Sequence, residues 1–285
     1  MDVVIEKAQE LGFCFGVRRA IKLIENAARR QQGITTLGPI VHNRLVVARL
    51  AAMGVKSIHN LDDFKGGTLA IPSHGASPEV LEKINSLHVD VIDTTCPNVR
   101  SAQIAAKGLA ESGFNVIIFG EETHPEVKAL VGWAGTKAIA TLGNNDIGVY
   151  GPSDRVGILS QTTQSKTQFT DFTRDLRRKV LSDVREVKVI NTLCDETQKR
   201  QTAAFNLARK SDLMIVVGGR NSANTQRLAD VCSSMTETHL IETADEIEAN
   251  WLSGKRQIGI TAGASTPDEA IEEVVQKLVS QTKDV

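Results

Sequence analysis

Three of the four cysteines in this chain stand in one register. Cys14, Cys96 and Cys194 are each followed 24 residues later by a glycine that ends an apolar, strand-like run: Gly38 in ITTLGPI, Gly120 in NVIIFGEE and Gly218 in LMIVVGGR. Four residues beyond each glycine comes a polar side chain: His42, His124 and Ser222. Each cysteine also follows a β-branched run (VVIEKA, VDVIDTT, VKVINT) and precedes a helical pattern (VRRAIKLIENAARR, NVRSAQIAAKGLAES, ETQKRQTAAFNLARK). A spacing repeated three times constrains the fold more than any single motif, because it divides the chain into three copies of one unit.

A second marker recurs later in each copy, where a strand-like run ends in small polar residues and a helix begins: AIPSHGASPEVLEKI, GILSQTTQSKTQFTDF and GITAGASTPDEAIEEVV. Ser77-Pro78-Glu79 and Thr266-Pro267-Asp268 read as an N-cap, a proline at the first helical position and an acid in the first turn. The unit is therefore strand, cysteine, helix, strand, polar loop, helix, strand, polar loop, helix. Such alternation predicts an α/β protein with short, mainly parallel sheets. The expected units are residues 14–95, 96–193 and 194–285, the last completed by residues 1–13. Related by a pseudo-threefold axis, they would bring one cysteine each to a shared centre. Cys232, out of phase in NTQRLADVCSSM, is assigned to packing.

Composition narrows the partners. Thirty-three basic residues against thirty-four acidic ones give a formal charge of -1, which lacks the basic footprint of a nucleic-acid binder, so no nucleic-acid partner is expected. The longest apolar runs, such as LMIVVGG, are too short for a membrane span. The N-terminus MDVVIEKAQE has no basic stretch before an apolar one, so no secretory signal is expected. With four cysteines and no close pair, the chain reads as cytoplasmic.

Three converging thiols leave several chemistries open. They can be buried structural residues. They can hold zinc with a histidine or water, although structural zinc usually draws on close-spaced pairs. They can also ligate a [4Fe-4S] cluster through three cysteines and leave one iron open to substrate, which is the reading we favour. The loops suggest what else the centre holds. His42, His74 and His124 fall in repeat-phase loops, whereas His59, His88 and His239 do not. With Thr162, Thr163, Ser222, Asn224 and Ser265 they form a donor-rich set at helix N-termini, where a phosphate or diphosphate is the natural guest. The alternative for Asn224 and Ser265 is that each caps its own helix. Glu126 has two accounts as well: Thr123-x-x-Glu126 matches a capping box, and a carboxyl beside a dianion suits a proton donor.

With these residues in hand, the chain closely resembles the LytB family of 4-hydroxy-3-methylbut-2-enyl diphosphate reductases, enzymes of the last step of the non-mevalonate isoprenoid pathway. The matching stretches are GFCFGVRRAI, GPIVHN, SHGAS, DTTCPNV, HPEV, SQTT, TLCDETQKRQ, GGRNSANTQRL and TAGASTP, which span nearly the whole chain. The resemblance implies a trefoil of three α/β domains around a central [4Fe-4S] cluster ligated by Cys14, Cys96 and Cys194, with one open iron. It implies that His42, His74, His124, Ser222, Asn224 and Ser265 hold an allylic diphosphate, that Thr162 orients the substrate hydroxyl, and that Glu126 feeds protons; Thr163 stays a substrate-binding candidate. Two electrons would come from a ferredoxin- or flavodoxin-type donor. The sequence departs from the family pattern at Ala223, where a second serine is expected, so the diphosphate contact there falls to a backbone N–H. It departs again at Lys128-Ala129, where a glycine is expected in second place. The competing classes are a quinolinate-synthase-like cluster enzyme and a non-catalytic iron or redox sensor. The first gives no obvious reason for HPEV and SQTT, and the second would not need Glu126 or the anion pocket.

Overall fold

The computed structural model describes residues 3–143, 147, 155–179 and 184–283; Asp2 and the last residues of the third repeat lie outside them. Among the described residues, twelve strands form three four-stranded sheets in which every pairing is parallel. The first is ordered β3-β2-β4-β5 (Lys56–Ile58, Ile34–Leu37, Thr68–Ile71, Val91–Asp93). The second is β7-β6-β8-β9 (Ala138–Thr141, Asn115–Phe119, Arg155–Ser160, Glu186–Val189). The third is β11-β10-β12-β1 (Glu237–Ile241, Leu213–Val217, Gln257–Ala262, Val4–Lys7). The helices that connect them are α1 (Phe15–Ala28), α2 (Arg44–Ala52), α3 (Pro78–Ser86), α4 (Pro97–Glu111), α5 (Pro125–Ala134), α6 (Lys166–Lys179), α7 (Asp195–Ala208), α8 (Ala223–Ser233) and α9 (Asp268–Lys283).

All three sheets follow one plan, with β1 from the N-terminus in the place that β5 and β9 take in the other two. Each also contains an outer strand, β3, β7 or β11, absent from the unit expected from sequence. These strands lie at sheet edges and are largely half-buried or exposed, so they lack the continuous apolar run that marks a central parallel strand.

The chain divides into two compact units. One comprises the stretch up to Arg18, Val41–Ala52 and the chain from Asp195 onward, and contains the third sheet. The other comprises Arg19–Ile40 and Met53–Cys194 and contains the first two sheets. In the first of these units, β10 (LMIVV) is buried along its whole length. Side chains alternate across a strand, so Leu213, Ile215 and Val217 pack with Ile258, Ile260, Val274 and Leu278, while Met214 and Val216 meet Ala204, Leu207, Leu228 and Cys232 on the other face. Burial there pushes the Cys232 thiol up to about 12, which makes it a packing residue. The central strand β6 behaves alike: Val116 and Ile118 join α4 and α5, and Ile117 and Phe119 face Phe169 and Phe172 of α6.

The repeated glycine has a steric cause. Gly38 adopts a φ of +84°. A Cβ on Gly218 would lie 2.6 Å from Thr266 Oγ1, and one on Gly120 would lie 2.7 Å from Val127 Cγ2. At each of these positions the chain turns sharply out of a strand toward a helix, with no room for a side chain at the latter two.

Candidate active site

In each sheet the strand order reverses between the two central strands: β2 and β4, β6 and β8, β10 and β12. Chains leaving their carboxyl ends diverge, which opens a crevice where open α/β sheets bind ligands. Every sequence-derived site residue other than the cysteines lies in a segment leaving one of these strand ends. Each cysteine follows the outermost strand on the other side, and its N–H donates to the loop after the neighbouring central strand. The three bonds are Cys96 N to Ser73 O at 2.9 Å, Cys194 N to Thr162 O at 2.9 Å and Cys14 N to Ala264 O at 3.1 Å. Ser73, Thr162 and Ala264 are therefore equivalent positions.

In the unit holding the first two sheets, Glu126 is 3% exposed. Its Oε1 accepts the Thr162 N–H at 2.7 Å and its Oε2 accepts the Thr162 hydroxyl at 2.9 Å. Burial pushes the carboxyl up to about 7, against the opposing effect of those two bonds. The expected capping box is absent. His124 is the N-cap of α5, its Nδ1 accepting the Glu126 N–H at 3.2 Å, because Pro125 takes the first helical position and Glu126 turns inward instead of back toward Thr123. In a neutral ring, an accepting Nδ1 places the His124 proton on Nε2.

Gln161, which sequence reading passed over inside SQTT, is fully buried and ties this region together. Its Oε1 accepts from Glu121 N and Gln164 Nε2, and its Nε2 donates to Thr163 Oγ1 at 3.0 Å. His74 is half-buried in the turn of SHGAS. There the Ala76 carbonyl accepts from Trp133 Nε1 at 2.9 Å and from Gln103 Nε2 at 3.5 Å. A Cβ on Gly75 would lie 2.4 Å from that same Gln103 amide nitrogen. Trp133 and Gln103 are tens of residues from this loop, so pattern alone did not reveal them.

In the unit holding the third sheet, Ser222 is the N-cap of α8 and accepts from Thr225 N at 3.3 Å. Ala223 is the first helical residue and Asn224 the second. Asn224 is 5% exposed, and neither atom of its amide has a hydrogen-bond partner, so it does not cap its helix. Ser265 donates to the His42 carbonyl at 3.3 Å, which also departs from capping. The same carbonyl would lie 2.6 Å from a Cβ on Gly219. Burial holds the His42 imidazole below its usual range, so it is neutral at pH 7. Thr266, expected as an N-cap, instead donates to the Val217 carbonyl at 2.9 Å, and α9 begins at Asp268. Ser77 does cap α3, accepting from Val80 N at 3.4 Å.

Three of the cysteine sulfurs are placed to serve as soft ligands. None of the four cysteines forms a disulfide, and Cys14, Cys96 and Cys194 are half-buried. Cys96 is the N-cap of α4, and Cys14 and Cys194 immediately precede α1 and α7. Two sulfurs accept N–H bonds: Cys14 Sγ from Val17 N at 3.4 Å and Cys194 Sγ from Asn98 Nδ2 at 3.0 Å. Cysteine sulfurs free of disulfides, in one repeated place, are of the ligand type that an iron-sulfur cluster takes. The start of α4, which carries Cys96, thus reaches the sulfur of Cys194 within one compact unit, while Cys14 belongs to the other. Among the described residues no group of three or more His, Cys, Asp and Glu side chains is disposed to hold a metal ion.

Comparison with known proteins adds names to this geometry. The family model described as LytB protein matches residues 5–279. A Dehalococcoides mccartyi protein named 4-hydroxy-3-methylbut-2-enyl diphosphate reductase is 47% identical over 97% of this chain and 98% of its own length. The protein of the same name from Geobacter sulfurreducens is 41% identical, over 98% of this chain and 97% of its own. Among solved structures, (E)-4-hydroxy-3-methyl-but-2-enyl diphosphate reductase, titled the terminal enzyme of the non-mevalonate pathway, is 40% identical. It covers 98% of this chain and 99% of its own, with a TM-score of 0.71. The E-1-hydroxy-2-methyl-but-2-enyl-4-diphosphate reductase of Plasmodium falciparum is 26% identical with a TM-score of 0.91, covering 98% of this chain and 89% of its own.

Proposed function

The chain belongs to the LytB protein family, and from that premise we propose that it removes the hydroxyl of (E)-4-hydroxy-3-methylbut-2-enyl diphosphate, giving isopentenyl and dimethylallyl diphosphate. The reaction takes up two electrons and two protons and releases water. Enzymes of this family are iron-sulfur proteins. In this reading Cys14, Cys96 and Cys194, one from each of the repeat units 14–95, 96–193 and 194–285, would be the cluster's ligands. A bound [4Fe-4S] cluster with one iron lacking a cysteine supplies electrons singly and Lewis acidity. The electrons come from a ferredoxin- or flavodoxin-type protein, and the setting is the cytoplasm. Among the described residues no helix is long and apolar enough to cross a membrane.

The observation that carries this reading is the buried Glu126 carboxyl with both oxygens on Thr162. A carboxyl with a proton affinity near neutrality is suited to give a proton to a leaving hydroxyl. Thr162 is both anchor and relay. It fixes the carboxyl by its N–H and hydroxyl, and when Glu126 is protonated the hydroxyl can turn to accept that proton's bond and donate its own to the substrate oxygen. The diphosphate is held by His42, His74, His124 Nε2–H, Ser222, the Ala223 N–H, Asn224 and Ser265, with the start of α8 adding its dipole. Thr163 assists Thr162 in orienting the substrate.

The test is anaerobic purification with iron and sulfide analysis, followed by a single-turnover assay of product formation, for the native chain and for Cys14→Ser, Cys96→Ser, Cys194→Ser and Cys232→Ser. A brown, active protein that loses its cluster in the first three variants and keeps it in the fourth supports the reading. A colourless protein that cannot be reconstituted with iron and sulfide rejects it.

A further inference from the structure

Two residues after each repeat cysteine stand Gly16, Asn98 and Glu196. Of these only asparagine carries a side-chain N–H, and it is used. Asn98, second residue of α4, donates from Nδ2 to Cys194 Sγ at 3.0 Å, a bond between residues 96 positions apart. Asn98 is otherwise exposed, so no core packing explains its placement. The sulfur of Cys14 accepts a local backbone N–H, from Val17 of its own helix turn, at 3.4 Å.

We propose that Asn98 is a positioning residue that sets the redox poise of the bound cluster through its hydrogen bond to the Cys194 sulfur. This rests on the assignment of Cys194 as a cluster ligand. Each one-electron transfer from the donor protein oxidises the donor by one electron and makes the cluster and its thiolates more negative by one unit. An N–H aimed at a ligating sulfur stabilises the more negative state more, so it raises the reduction potential. Asn98 therefore makes this chain easier to reduce by a weak donor, and its loss slows electron entry without touching the substrate's diphosphate.

The experiment is an anaerobic dye-mediated redox titration of the native enzyme, Asn98→Leu and Asn98→Asp, read by absorbance and electron paramagnetic resonance. Iron and sulfide content are measured on the same samples. Asn98→Leu removes the donor at an exposed site where folding costs little. Asn98→Asp keeps the shape and turns an oxygen toward the sulfur. The expected result is a reduced-to-oxidised ratio about tenfold lower at fixed potential for Asn98→Leu, which is about 59 mV for one electron, and lower again for Asn98→Asp. The iron–cysteine stretching band in resonance Raman should move to higher frequency in both. Midpoints within twofold of native at full iron content would overturn the proposal and leave the reductase reading intact. Loss of the cluster from both variants, with native iron content in the parent, would make Asn98 a retention element and also overturn it. A native enzyme that takes up no cluster would overturn the reductase reading itself, and this proposal with it.

Discussion

Glu126 and Asn224 occupy the same place in the repeat, six residues after Gly120 and Gly218 and second in helices α5 and α8. Both are buried, at 3% and 5% exposure, yet they are satisfied in opposite ways. Glu126 has a partner on each oxygen, and Asn224 has none on either amide atom. One difference between the two copies lies one loop away. The position whose carbonyl receives the cysteine N–H is Thr162 in the second sheet's loop and Ala264 in the third's. Threonine offers a hydroxyl to Glu126 as well as its backbone N–H, and alanine has no hydroxyl to offer Asn224. An unpaired buried amide costs about 1–3 kcal/mol, a cost that a ligand able to pair with it removes. One copy of the unit thus presents a carboxyl bonded on both oxygens, and the other a buried amide with no partner on either atom.

The largest effect should come from Glu126→Gln. The amide can still accept from the Thr162 N–H and meet its hydroxyl, so the fold is kept, but it has no proton to give. Turnover at pH 7 should fall by about 10²–10⁴-fold, the range for loss of a general acid. The same variant tests the linkage. Glu126 has a folded pKa of about 7 against an unfolded value near 4.5, so between these pH values the folded state binds the extra proton. Stability should therefore fall as pH rises through that window, by about 3 kcal/mol in all. Thermal unfolding at pH 5 and pH 8 should show this slope in the native chain and not in Glu126→Gln. Equal slopes would mean that the carboxyl is already ionised at pH 5.

Thr162→Ala sharpens the same half of the comparison. Its lost hydroxyl had favoured the charged carboxylate, so the Glu126 pKa should rise further, by about one unit for a bond of roughly 1.5 kcal/mol to a charged group. Because the protonated form is the active one, the alkaline limb of the kcat profile should move up in pH, even as kcat itself falls. A limb that moves down would place the active proton elsewhere.

The sequence disclosed the repeat and the parallel sheets because central strands such as LMIVV, buried on both faces, are unbroken apolar runs between glycine and helix. It did not disclose the edge strands β3, β7 and β11, which are partly exposed and carry no such run. At the site, residue types and phases were legible, and their partners were not. Glu126 meets Thr162 across 36 positions, and Asn98 meets Cys194 across 96. Local rules pointed Glu126 toward Thr123, and the structure chose a distant threonine because a proline opens α5 and the carboxyl turns inward. The unpaired state of Asn224 was invisible for the same reason, since it depends on which distant groups reach it.

On the other half, Asn224→Leu replaces the unpaired amide with an apolar group of similar size. Stability without ligand should rise by about 1–3 kcal/mol, while KM for the diphosphate substrate should rise about 10–100-fold, the worth of a hydrogen bond to a charged group. Calorimetric unfolding with and without inorganic diphosphate reads both at once. The native chain should gain more from the ligand than the variant. A variant less stable than native would show that Asn224 already has a partner in solution.

Ala264→Thr asks whether the third sheet's loop can be converted into the second's. Ala264 is half-exposed, so a threonine there has space, and its hydroxyl would stand toward Asn224 as that of Thr162 stands toward Glu126. The new bond should be a neutral one worth about 0.5–1.5 kcal/mol. It would stabilise the unliganded protein by that amount and compete with the diphosphate for the amide. KM should therefore rise about two- to tenfold with kcat little changed, since no group that handles the proton is touched. The effect should vanish in the Asn224→Leu background, because the hydroxyl then has nothing to hold. Persistence of the KM change in that background would mean that the added side chain obstructs the substrate directly, and that an alanine at 264 is kept for space and not to leave Asn224 unpaired.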